Sequence, residues 1–202
     1  MLQVLERLLL SKGNIYNIHF YNNRYLFDEF KLFQYVTIEM KISSKFFQLS
    51  DGAIINLRIL DTVGQEQFNS LYENYYKQAD CCLLVYDITS KESFNILKNY
   101  YIDKIKEKCN SDIKVILLGN KTDLEDKREV SQDEGKDLAN EKGYIFMESS
   151  CKDNYNVSDA FSAHVEMTNH EYKKFNRVNS FRLKYKDVIE NISKDKKKSK
   201  CC

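Results

Sequence analysis

Residues 113–123 read Ile-Lys-Val-Ile-Leu-Leu-Gly-Asn-Lys-Thr-Asp. A short, nearly continuous apolar run closes on Gly119 and is followed at once by a polar quartet, Asn120-Lys121-Thr122-Asp123. A run of this length, bounded by turn residues, marks a strand buried on both faces. Residues 81–86 (CCLLVY) repeat the pattern, and residues 144–147 (YIFM) give a third instance. Between them the spacing turns helical: Phe94, Leu97, Tyr101 and Ile105 recur at three- and four-residue steps. Further helices are expected from Ser131 towards Asn140 and from Val157 into the 170s. Upstream, residues 46–49 (FFQL) and 54–60 (IINLRIL) flank Ser50-Asp51-Gly52, a hairpin signal. Strands alternating with helices imply an α/β fold, a mostly parallel central sheet with helices on both faces. Such sheets bind ligands beyond the carboxyl ends of their strands. The polar motifs of this chain fall there.

Composition bounds the rest. The 202 residues are a single-domain length, 43% hydrophobic and 30% charged, with a net charge of +1. That balance argues against a strongly basic nucleic-acid binder, so no nucleic-acid partner is expected. There is no Trp and no Pro. No apolar run approaches the ~18 residues of a membrane span, and the opening MLQVLERLLL lacks convincing signal-peptide flanks. The six cysteines show no C-x-x-C spacing, and His19, His164 and His170 do not cluster. Reduced thiols are therefore expected, as in a cytosolic protein.

Three motifs carry chemistry. Asp61-Thr62-Val63-Gly64-Gln65-Glu66 follows the strand ending at Leu60. A carboxylate there can reach Mg²⁺ through water. Gly64 lets a backbone N–H approach a terminal phosphate, and Gln65 could orient an attacking water. Asn120-Lys121-Thr122-Asp123 follows the buried strand at 113–118 and Gly119. The Asp123 carboxylate can accept from both the N1–H and the exocyclic amine of guanine, a pair adenine cannot supply. Asn120 would brace neighbouring loops, and the Lys121 stem would lie along the base. Glu148-Ser149-Ser150-Cys151-Lys152 follows the third strand, where a backbone N–H of the Ser150–Cys151 turn can meet the guanine carbonyl and Lys152 can cover the ring. Taken singly, each motif also reads as an ordinary polar turn.

In this order and at these strand ends, the motifs resemble those of the Ras superfamily, from about Thr37 onward. The chain looks most like the Rab branch: GQEQF at 64–68, Tyr75-Tyr76, Ala79-Asp80, LLVYDIT at 83–89 and Ser93-Phe94. It closes on Lys196-Lys197-Lys198-Ser199-Lys200-Cys201-Cys202. A terminal Cys-Cys is the Rab-type signal for double geranylgeranylation, and two lipids beside a basic stretch anchor firmly to anionic membranes. The resemblance implies a P-loop NTPase-like G-domain that binds GTP or GDP with Mg²⁺, hydrolyses GTP slowly, and regulates vesicle traffic. It assigns nucleotide contacts to Thr37, Asp61, Gly64, Asn120, Lys121, Asp123, Ser150, Cys151 and Lys152, with Thr37 and Asp61 (through water) at the metal. It makes Gln65 the catalytic residue and Cys201 and Cys202 the lipidated ones. The implied partners are effectors, exchange and activating factors at the switch regions, and the prenylation and membrane-extraction machinery. The place would be the cytoplasmic face of intracellular membranes, in exchange with the cytosol. The domain plan has an atypical N-terminus at 1–36, a G-domain at 37–178, and a flexible tail at 179–202.

The chain departs from the family pattern at several positions. Val63 replaces the usual Ala, Leu60 the usual Trp, Cys151 the Ala of the guanine loop, and Glu39 the Gly after Thr37-Ile38. The largest departure is at the front. A phosphate loop needs G-x-x-x-x-G-K-[ST], so that glycines let successive N–H groups cradle phosphates. The only Gly before Gly52 is Gly13, within Ser11-Lys12-Gly13-Asn14, so the chain as written should bind nucleotide poorly. Residues 4–13 (VLERLLLSKG) can be back-translated so that reading two bases later yields VGKTSIIKR, a phosphate-loop end and helix start. Residues 13–24 (GNIYNIHFYNNR) then read as AT-rich non-coding sequence with GT and AG at its limits. Its removal restores the frame at Tyr25 and sets Thr37 at the family's spacing. The expectation is a retained intron and a misplaced start. The alternative is a lipid-anchored effector-binding module that lacks a phosphate loop and does not hydrolyse nucleotide.

Overall fold

The structure, a computed structural model, describes the backbone of residues 2–8, 17–30, 41–48, 52, 54–61 and 73–176. Side chains are described for residues 21–30, 42–48, 52, 54–60 and 76–167. The strands are β1 (Leu2–Leu8), β2 (Lys41–Gln48), β3 (Ile54–Asp61), β4 (Cys81–Asp87), β5 (Lys114–Asn120) and β6 (Ile145–Ser149). The α-helices are α1 (Asn17–Phe27), α2 (Glu73–Gln78), α3 (Lys91–Ile96), α4 (Ile102–Lys108), α5 (Gln132–Lys142) and α6 (Val157–Asn176). A π-helical turn, Leu97–Tyr101, joins α3 to α4, and a 3₁₀ segment, Thr122–Lys127, follows β5.

One six-stranded sheet runs in the order β2-β3-β1-β4-β5-β6. All its neighbours are parallel except β2 and β3, which pair antiparallel from Gln48↔Ile54 to Lys41↔Asp61. The expected hairpin, the three apolar strands and the helices between them are all present, but β6 is an edge strand with Ile145 exposed, not a strand buried on both faces. Residues before 37, set apart in the sequence reading, supply α1 and the strand β1 that lies between β3 and β4.

Strand alternation sorts the core into two layers. Cys81, Leu83 and Val85 of β4 with Ile116 and Leu118 of β5 face α1 and α6, where Tyr21, Tyr25, Phe161 and Val165 close the layer. Cys82, Leu84 and Tyr86 with Val115 and Leu117 face the other way. They pack on Phe94, Leu97, Tyr101 and Ile105 and on Leu138 and Ala139. The four residues of the helical spacing are thus all buried, along a helix whose phase the π turn shifts by one residue. Each such side chain contributes on the order of 2 kcal/mol of burial. The turn into α5 is a capping box: Ser131 Oγ accepts from Glu134 N at 3.2 Å, and Glu134 Oε2 accepts from Ser131 N at 3.0 Å. Within α5, Gly135 is needed for close approach, because a Cβ there would lie 2.3 Å from Phe146 Cε2.

Strand ends differ from the sequence reading by one to two residues, except that β2 begins at Lys41, well before the expected 46. The strand expected to close at Leu60 is β3, which includes Asp61. The run expected over 113–118 is β5 at Lys114–Asn120, and β6 continues through Ser149. Backbone pairing carries the ladder beyond the apolar run, through Asp87↔Asn120 and Asn120↔Ser149. Polar side chains at a strand end cost the ladder nothing when they find partners of their own.

His164 on α6 is fully buried, its Nε2–H donating to the Cys82 carbonyl at 3.0 Å. Burial pushes its imidazole down to about 4. As pH falls, the unfolded chain takes up the proton first, near its ordinary value of about 6.5. This residue's contribution to stability is therefore complete above pH about 6.5 and lost progressively towards pH 4, a range worth roughly 3 kcal/mol. Urea midpoints measured from pH 7.5 to 4.5 should fall steeply, and a His164→Leu variant should show a flatter slope.

Candidate functional site

Asp87, Asn120 and Ser149 end three adjacent parallel strands in one row across the sheet. The segments that follow them converge, as expected at the carboxyl edge of such a sheet. Asp87, Asn120, Ser149 and Ser150 are all nearly inaccessible to solvent. Buried polar groups of this density need mutual partners, and the structure supplies them for Asp87, Asn120 and Ser150, while Ser149 Oγ is left without one.

Asn120 Oδ1 accepts the Cys151 N–H at 3.3 Å, tying the loop after β6 to the end of β5. Asp123, on the first turn of the 3₁₀ segment, has a side chain only 8% exposed. Its Oδ1 accepts from Ser150 Oγ at 2.7 Å, and its Oδ2 lies 3.5 Å from Lys152 Nζ. A carboxylate offers about four lone-pair sites, so acceptor capacity remains for a further pair of donors. Ser150 Oγ in turn accepts the Asp153 N–H at 3.0 Å. Tyr155 pairs back on Ser150 through reciprocal backbone bonds of 3.0 and 2.9 Å, which closes the loop on itself.

Lys121 stands in the left-handed region (φ 73°, ψ 38°), which costs a non-glycine residue roughly 1 kcal/mol. Its Nζ lies 2.5 Å from Asp87 Oδ2, while Asp87 Oδ1 accepts the Thr89 N–H and hydroxyl at 2.9 and 2.7 Å. The sequence reading gave Lys121 a place along a base; the structure adds an anchor for its ammonium at the end of β4. Arg128 braces the outer wall. Its guanidinium reaches Glu125 (2.7 and 2.7 Å) and Glu148 (2.7 and 3.1 Å), and these hydrogen bonds, Glu125 foremost, raise its already high proton affinity.

From the far side of the sheet's edge, Arg24 of α1 donates through Nε to the Cys151 carbonyl at 2.9 Å. Its second terminal nitrogen donates to the Lys152 carbonyl at 3.0 Å. Sequence reasoning missed Arg24, Asp87 and Arg128. Asp87 sits within the LLVYDIT stretch and so had a signal, whereas Arg24 lies in a stretch with no apolar period.

The structure thus brings together Asn120, Lys121, Asp123, Ser150, Cys151 and Lys152. Asp61 closes β3, in register with Glu6 of β1. Thr37, Gly64, Gln65, Cys201 and Cys202, and the side chain of Asp61, lie outside the described residues. The described set fits a guanine base: a nearly buried carboxylate with spare acceptor capacity, framed by a lysine and two braced loops. No such fit is found for a triphosphate, because residues 9–16 (LLSKGNIY) between β1 and α1 contain one glycine and no Lys-Ser or Lys-Thr pair. Among the described residues no group of three His, Cys, Asp or Glu side chains could hold a metal. Among the described residues Cys81, Cys82, Cys109 and Cys151 form no disulfide, and no described helix is long and apolar enough to cross a membrane.

Compared with known families, the chain matches the sequence model of the Ras family over residues 21–170. That span holds the loops after β5 and β6 and every described strand except β1. Guanine-nucleotide binding and engagement of regulators come with that membership, and the chain belongs to the Ras family of small GTPases.

Proposed function

We propose that this protein is a Rab-type GTPase, a GTP/GDP switch that regulates vesicle-mediated traffic from the cytoplasmic face of intracellular membranes. The observation that carries the nucleotide half is the Asp123 carboxylate, held by Ser150 and Lys152 in a site that excludes most solvent. The membrane half is supported by the sequence, in Cys201-Cys202 behind four lysines in the preceding five residues. Phe46 and Ile42, exposed on the edge strand β2, offer apolar surface for effectors. Gln65 would position the attacking water, with Thr37 and Asp61 serving Mg²⁺, once a phosphate loop is present.

The phosphate loop separates this reading from a second one, a lipid-anchored binding module without hydrolysis. The absence of the motif between β1 and α1 favours the second reading for the chain as written. The retained-intron hypothesis favours the first for the native protein. Sequencing the mature transcript across codons 1–40 decides between them: GVGKTS running into KRYLFDEF supports the GTPase, and an unspliced match to this chain supports the module. Membrane attachment has its own test. Cys201→Ser with Cys202→Ser should move the protein from the membrane pellet to the supernatant, and continued pelleting would overturn the lipid-anchor assignment.

A further inference from the structure

Arg24 is 127 and 128 residues away in sequence from the two carbonyls it holds. It stands on α1 between Tyr21 and Tyr25, both buried against α6, so the helix that presents it is fixed to the core. Its side chain is 14% exposed. Nε and one terminal nitrogen take the Cys151 and Lys152 carbonyls. The other terminal nitrogen takes the Asp28 carbonyl at 3.0 Å and the Asp28 carboxylate at 3.1 Å. Asn154 Nδ2 donates to that same carboxylate at 3.2 Å. The end of α1 therefore grips the loop after β6 at three successive points.

This grip acts on the base site through the peptide plane. Every described peptide is trans, so a carbonyl and the following N–H point in opposite directions. Holding the Lys152 carbonyl towards Arg24 turns the Asp153 N–H away from it, where that N–H donates to Ser150 Oγ at 3.0 Å. With that lone pair occupied, the Ser150 hydroxyl proton is committed to Asp123 Oδ1 at 2.7 Å. The chain of bonds runs from guanidinium to peptide, to hydroxyl, to carboxylate.

Resting on the guanine reading of Asp123, we infer that Arg24 is a positioning residue for base selectivity, setting the Asp123 carboxylate through the Lys152–Asp153 peptide and Ser150. It touches no base itself. An arginine is required because one planar fork serves three carbonyls and a carboxylate together, which a lysine's single ammonium cannot do.

The test compares GDP with inosine diphosphate, which lacks only the exocyclic amine, by equilibrium binding to the full chain. The ratio of the two affinities reads the aim of the carboxylate. Loss of folded protein weakens both ligands by the same factor and leaves the ratio unchanged. Arg24→Ala should lower the guanine preference about tenfold, and Arg24→Lys should lower it in the same direction. A wild-type preference for GDP that Arg24→Ala leaves intact overturns the inference while the base assignment stands. A wild-type chain that binds GDP, inosine diphosphate and adenosine diphosphate alike means the guanine reading itself has failed, and one that binds none of them overturns both that reading and the inference for the chain as written. Should Arg24→Ala fail to fold, Asp28→Ala decides: Asp28 is exposed, and removing the carboxylate that joins the fork to Asn154 should lower the ratio about threefold, although the Asp28 carbonyl still holds that arm. An unchanged ratio in that variant also overturns the inference.

Discussion

Asp123→Ala should abolish the distinction between guanine and adenine nucleotides, lowering GDP affinity on the order of a hundredfold while leaving ADP affinity unchanged. The carboxylate is 8% exposed and already neighbours Ser150 and Lys152. It is held in place before a ligand arrives, so little binding energy goes into ordering it. Two hydrogen bonds from a base to a charged, desolvated acceptor are each worth roughly 1.5–3 kcal/mol, and the variant loses both. It also removes an acceptor for the Ser150 hydroxyl, but that oxygen keeps the Asp153 N–H, so the loop should persist. Equilibrium titration with GDP and ADP measures the effect, with a thermal melt to confirm folding. A variant that still prefers GDP would remove Asp123 from base recognition.

The largest effect on stability should come from Phe161→Ala. Phe161 is fully buried on α6, stacked on Tyr25 with ring centroids 3.8 Å apart and planes 18° apart. Tyr21 approaches it from one turn earlier on α1, at 6.5 Å. Emptying a site of this size costs about 3–5 kcal/mol, against a total of roughly 5–15 kcal/mol for an ordinary domain. The melting midpoint should drop by on the order of 10 °C. Because Phe161 joins α6 to α1, the same variant probes whether the N-terminal helix belongs to the core. A double-mutant cycle with Tyr25→Ala should return a coupling of about 0.5–1.5 kcal/mol. Strict additivity would mean that α1 does not pack on α6 in solution.

The amino-acid sequence by itself determined the architecture from β2 onward. Burial on both faces makes β4 and β5 near-continuous apolar runs. The four buried residues from Phe94 to Ile105 keep helical spacing, and Ser131 with Glu134 writes the start of α5 in a capping box. These are local signals, set by period and by turn chemistry, so they can be read one segment at a time. Asn120, Lys121, Asp123, Ser150, Cys151 and Lys152 were legible for the same reason, each following a recognisable strand. Tertiary structure alone decided the rest. Nothing within LQVLERL distinguishes a strand from about two turns of an amphipathic helix; β1 is a strand because β3 and β4 leave a parallel slot between them. Lys121 is anchored by Asp87 only because β4 and β5 pair in a register that aligns Asp87 with Asn120. Arg24 reaches Cys151 and Lys152 only because Tyr21 and Tyr25 seat α1 beside α6. A hydrogen bond between groups more than a hundred residues apart leaves no period in either segment, since what brings the two together is the packing of everything between them.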